Sequence, residues 1–187
     1  MSAAQVGFGL YGAVLVDDPA ERVGASDELV LVLSHIDANE SGVLRDPEDT
    51  GKYRFAFGLE GDEVLVNGRT LPRLLARPGA AQRWRIVNAA KARYFELELP
   101  APSDGGAPFV VLGGDGGLNE YAVKRETVVV APGERLDVIV TPDGTPGSDV
   151  MVRPLPFGRG YGSQYVQIKD LFTIAFVGTS APSVPLV

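Results

Sequence analysis

Short apolar runs, each cut off by glycine or proline, recur from one end of this chain to the other and never lengthen into the 3.6-residue periodicity of a long helix. The 23 glycines and 14 prolines leave room for strands and turns and little else. Strands are expected at Leu10–Val16, Glu28–Asp37, Glu63–Val66, Gln82–Asn88, Tyr94–Leu99, Phe109–Leu112, Glu126–Val130, Glu134–Val140, Val150–Pro154 and Leu171–Val177. Two of them alternate cleanly. Trp84 and Ile86 share one face of Gln82–Val87, and Phe95, Leu97 and Leu99 share one face of the next. Each such strand buries one face and wets the other, as in an all-β two-sheet sandwich or small barrel. Pro78-Gly79 and Pro132-Gly133 each precede an alternating strand, the proline setting φ and the glycine taking positive φ in the turn.

At 187 residues the chain has the length of one all-β domain with a short appendage. Asp17-Asp18-Pro19-Ala20-Glu21-Arg22 reads as a linker after the first strand, and residues 180–187 form a patternless, proline-containing end. No apolar run is long enough for a membrane-spanning helix, and Met1–Gln5 has neither the basic nor the apolar region of a secretory signal. Seventeen basic against 24 acidic residues give a net charge of −7, which repels nucleic acid and anionic membranes.

The inventory of reactive side chains excludes more than it suggests. With no cysteine, the chain cannot form disulfides, thiolate nucleophiles or iron–sulfur sites, and a type 1 copper site needs a cysteine thiolate and two histidines. The one histidine, His35, falls near the end of a strand on the parity of Leu31 and Leu33, where it is expected half-buried and hydrogen-bonded rather than metal-bound. Ser34 points to the opposite face, so the two do not form a nucleophile and its base. Acidic groups at Asp17-Asp18, Asp46/Glu48/Asp49, Glu60/Asp62/Glu63 and Asp143/Asp149 lack calcium-loop spacing and read as solvated turns. Gly113–Gly117 follows a strand, but no Lys-Ser/Thr and no helix follow it, so it is not read as a phosphate loop. Arg135 and Asp137 stand two apart on one strand face and are expected to pair there. Segments Asp46–Gly61, with Tyr53, Phe55 and Phe57, and Arg153–Tyr165, with Phe157, Arg159, Tyr161 and Tyr165, read as long irregular loops.

Several motifs occur in the order seen in one family. Gln5–Val16 contains Gly9-Leu10-Tyr11-Gly12; Glu28–Ser34 resembles an opening strand. Val66-Asn67-Gly68-Arg69-Thr70-Leu71-Pro72, Arg77-Pro78-Gly79, Trp84–Ala89 and Ala92-Arg93-Tyr94-Phe95 follow, and then Gly113–Gly117 and Ala131-Pro132-Gly133-Glu134-Arg135-Leu136-Asp137-Val138. Together they resemble the second cupredoxin domain of a three-domain, laccase-like multicopper oxidase. The resemblance implies a cupredoxin-like Greek-key sandwich over 23–178, an extra strand and linker from the preceding domain over 1–22, and a linker over 179–187. It also implies a parent that couples substrate oxidation to reduction of O2 to water, with copper bound by other domains.

No position here matches a ligand motif, so no catalytic, cofactor-binding or metal residue is assigned and no cofactor is expected in this chain itself. Its expected partners are neighbouring cupredoxin domains, with homo-oligomers once those neighbours are absent. Leu10–Val16 is expected to pair with an edge of this domain or with a second copy. Two functions follow: a non-catalytic spacer, or an autonomous binding module using the Arg153–Tyr165 loop for a ligand or protein.

Overall fold

The Trp84 and Ile86 face of Gln82–Asn88 is buried throughout, and the larger sheet is laid out around that strand. The computed structural model describes residues 2–16, 18–21, 23–46, 58, 60–100, 108–158, 160 and 169–180. Its strands are β1 (Asp27–Ile36), β2 (Glu63–Val66), β3 (Arg73–Ala76), β4 (Gln82–Asn88), β5 (Phe95–Glu98), β6 (Phe109–Gly114), β7 (Gly117–Arg125), β8 (Thr127–Val130), β9 (Arg135–Val140), β10 (Asp149–Val152) and β11 (Phe172–Phe176), after one short helix, α1 (Ser2–Gly7).

One sheet has the order β2-β1-β4-β9-β6-β7, and two smaller ones, β10-β11-β3 and β5-β8, supply the opposing layer. The chain leaving β10 joins β5 through a bridge between Leu155 and Glu96. β1 runs parallel to β4, and β4 antiparallel to β9, in the register Trp84↔Val138 and Ile86↔Leu136. Trp84 meets Phe172 edge-on at 5.7 Å, tying the large sheet to the small one; each fully buried aromatic of this kind stabilises the fold by about 1.5–3 kcal/mol. Phe95, Leu97 and Leu99 are buried as their alternation predicts.

Gly79 and Gly133 both take positive φ, 74° and 84°, and each hangs its amide on the end of a neighbouring segment, at Pro142 and Asn88. Asn88 is fully buried at the end of β4. Its carboxamide donates to the carbonyls of Arg93 and Val130 at 2.8 Å each and accepts from Ala90 N–H at 2.9 Å. This one side chain therefore stitches the large sheet to β8.

Three elements differ from the sequence reading, the first being β3, which was not among the expected strands. Leu10–Val16 is not a strand: α1 precedes it, and the segment then runs extended without joining a sheet. Its ends explain why. The Tyr11 hydroxyl bonds Ser34 Oγ on β1 and Glu21 pairs with Arg83 on β4, so the chain is drawn across the outer face of the large sheet rather than along an edge. Gly113–Gly117 is the turn of a hairpin whose second strand, β7, the polarity of Asn119, Glu120 and Lys124 concealed. The register jumps from Val111↔Val123 to Gly113↔Leu118, leaving Asn119 to Ala122 bulged opposite Leu112. That bulge interrupts an otherwise open sheet edge.

Candidate functional site

His35 stands on β1 opposite Val64 of β2, on the buried face with Leu31 and Leu33. Its burial exceeds the half-burial expected, at 3% exposed, and neither ring nitrogen has a hydrogen-bond partner among the described residues. The expected hydrogen bond is thus not found. Burial, helped by the charges of Arg93 and Lys91 and opposed by Asp37, pulls the imidazole pKa from 6.5 down to about 4. The ring is neutral at physiological pH, and its lone pair is closed off from solvent. Asp37 and Arg93 are buried beside it, with Arg93 Nη2 donating to the Gly61 carbonyl at 3.0 Å and Nε 4.0 Å from Glu60.

The outer face of β1, β4 and β9 was expected to be wet, yet Arg83 there is 6% exposed. Asp137 holds its guanidinium through two hydrogen bonds, at 2.9 and 2.5 Å, and Glu21 descends from the N-terminal segment onto the same group. Asp137 is the main cause raising the Arg83 pKa above its ordinary value, so the cation is permanent. Glu28 lies 3.1 Å from Arg85 and completes a cavity of about 280 Å³ lined by Asp18, Glu21, Glu28, Arg83 and Arg85. Here charge is matched by charge across strands, and the N-terminal segment is pinned to the sheet.

Arg135 does not pair with Asp137. It turns to Asp115 in the β6–β7 turn, 3.2 Å away, because Asp137 is already held by Arg83. Asp115 also accepts from the Arg135 N–H, so the glycine-rich turn is fastened to β9 rather than open as an anion cradle. Ser34 is engaged by Tyr11, on the face opposite His35. The acidic turns are occupied locally: Asp18 accepts from Ala20 N–H, Asp143 from Gly144 N–H, and Asp149 binds Arg73. Asp17, Glu48, Asp49, Tyr53, Phe55 and Phe57 lie outside the described residues. Of the proposed binding loop, Phe157 stacks on Tyr94 at 4.9 Å and Arg153 pairs with Asp170, while Arg159, Tyr161 and Tyr165 lie outside the described residues.

The described residues contain no group of three or more His, Cys, Asp or Glu able to hold a metal. One sequestered imidazole and no thiolate do not fit a copper centre. No helix among the described residues is long and apolar enough to cross a membrane. Arg83 and Asn88 are the structurally decisive polar residues that sequence reasoning passed over. The i, i+2 arginines flanking Trp84 were the available signal for the first; a buried asparagine at a strand end has none.

The family model for multicopper oxidases matches residues 27–161. The laccase of Bacillus subtilis (strain 168) is 34% identical over 143 residues, 71% of this chain and 27% of its own length. The cell division protein FtsP of Edwardsiella tarda is 34% identical over 157 residues, 80% of this chain and 30% of its own. A crystal structure of a multi-copper oxidase from Pseudomonas thermotolerans superposes with a TM-score of 0.76 at 25% identity, covering 98% of this chain and 40% of that one. This chain therefore spans under a third of the length of these two curated relatives. Its two-layered strand arrangement is the cupredoxin-like β-sandwich, and the chain belongs to the multicopper oxidase family.

Proposed function

We propose that this chain is a non-catalytic cupredoxin spacer within a longer multicopper oxidase, orienting copper-bearing neighbours while holding no copper itself. The observation that carries the reading is the donor set: one histidine, buried with its lone pair closed off, and no cysteine. A cupredoxin fold so equipped can transmit position but cannot ligate a type 1 centre. On this reading residues 23–178 are the sandwich and residues 1–22 and 179–187 its links to neighbours. The names of the relatives, laccase and cell division protein, differ in activity at equal identity; the spacer role rests on this chain's own donors and is the same for either parent.

The N-terminal segment supports a neighbour on the outer face. Gly12–Val16 makes no backbone hydrogen bond to the described residues, and Val14 and Val16 are 89% and 87% exposed. Unpaired extended backbone with apolar side chains fits a sheet edge supplied by another domain. Hydrogen exchange tests this: the amides of Gly12–Val16 exchange freely in the isolated chain and become protected when the copper-bearing first domain of a relative is fused ahead of it. Free exchange in both would refute the contact.

A further inference from the structure

We propose that Asn67 is a fold-gated deamidation site, modified by its own backbone and water only when its side chain has come away from β1. Asn67-Gly68 is the one Asn-Gly pair in the chain, the dipeptide in which a missing Cβ leaves the attacking amide least hindered. The pair forms the tip of the turn Val66-Asn67-Gly68-Arg69, with φ of 52° at Asn67 and 73° at Gly68, both left-handed as a type I′ turn requires. Gly68 N–H has no hydrogen-bond partner among the described residues, and nothing lies within 4 Å of the position a Cβ would take. The nucleophile is free.

The electrophile is not. Asn67 Nδ2 donates to the Val30 carbonyl at 2.8 Å, and its Oδ1 accepts from Val32 N–H at 2.8 Å. Its backbone N–H donates to the Val32 carbonyl at 2.9 Å. The carboxamide thus acts as one more peptide group in the β1–β2 ladder, beyond the last pair, Leu33↔Val66. Attack requires the side chain to leave both bonds and swing back over Gly68. Gly68 N gives up its proton and bonds to Asn67 Cγ, the Cγ–Nδ2 bond breaks, and Nδ2 takes up a proton and departs as ammonia, leaving a five-membered imide. Water opens the imide to aspartate or isoaspartate; no oxidant, reductant or cofactor takes part.

The product cannot relock. A carboxylate oxygen has no proton for the Val30 carbonyl and would face it as oxygen against oxygen, and isoaspartate also displaces the turn by one backbone atom. Each opening that ends in reaction is therefore recorded as a turn permanently loosened from β1.

The test compares the full chain in mildly alkaline buffer, folded and in urea above its unfolding midpoint, by peptide mapping of Asn67 against Asn39, Asn88 and Asn119 in the same digest. Two hydrogen bonds that must break before attack predict a rate about thirtyfold lower in the folded chain. In urea, Asn67 should outpace the other three asparagines. Equal rates at Asn67 in the two states would overturn the gating. Two variants test the lock: Asn67→Asp should lower the urea midpoint below that of Asn67→Gly, which keeps the left-handed turn without the carboxylate. Asn67→Asp as stable as the unaltered chain would overturn it.

Discussion

Replacing Asn88 with alanine removes three hydrogen bonds from a residue with no exposed surface: two donated to the Arg93 and Val130 carbonyls, and one accepted from Ala90 N–H. At a net worth of about 1 kcal/mol each, the loss is about 3 kcal/mol, and poor solvation of the abandoned carbonyls raises rather than lowers that figure. For a domain of this size, about 3 kcal/mol corresponds to a fall in Tm of roughly 6–12 °C. The assay is urea unfolding followed through Trp84, the one tryptophan, which lies in the same strand. Asn88→Asp sharpens the test. It keeps an acceptor for Ala90 but points a carboxylate at two carbonyls, so its deficit should shrink as pH falls and the carboxyl gains a proton to donate. Asn88→Ala within about 1 kcal/mol of the parent stability would refute the claim that this side chain joins the layers, since the loss of one bond alone is worth that much.

Neutral His35 is favoured by folding, so stability is complete above pH 6.5 and declines as pH falls towards the folded-state pKa of about 4, by about 3 kcal/mol in all. In a plot of unfolding free energy against pH, His35→Leu should flatten that part of the slope; an unchanged slope would show that the ring is not the titrating group. Trp84→Ala, which leaves a cavity opposite Phe172, should cost about 3–5 kcal/mol by urea denaturation, and Trp84→Phe much less. A Cβ on Gly61 would collide with the Ile36 carbonyl, which is backbone and cannot step aside. Gly61→Ala should therefore destabilise by about 1–3 kcal/mol in thermal melts, whereas Gly116→Ala, with open space around it, should not.

Strands were legible wherever one face was apolar and the other polar. Glu63–Val66 and Gln82–Asn88 fall where alternation places them, and most others within one or two residues. β3 was not, because Arg73–Ala76 is short, lies between prolines and gains its pairing from distant β11. β7 was missed because an exposed edge strand needs no apolar face. Leu10–Val16 misled in the other direction: its residues favour a strand, but no sheet edge among the described residues receives it. For the site, the lone histidine and missing cysteine could be read directly, since inventory does not depend on folding. His35 proved more buried and less satisfied than strand parity alone implies, because parity assigns a face but not the partners that meet it. The Arg83–Asp137–Glu21 network joins three separate stretches of chain: the register of β4 against β9 brings Arg83 near Asp137, and the N-terminal segment adds Glu21.

The most direct test of the spacer account is copper stoichiometry combined with oxygen consumption. The purified chain would be supplied with Cu(I) and with Cu(II), desalted, analysed for bound metal and then assayed for oxygen uptake with a phenolic substrate. No stoichiometric copper and no uptake above that of free copper are expected of a spacer. Tightly held copper with turnover would contradict that role, and would mean that His35 and surface carboxylates assemble a centre across copies of the chain.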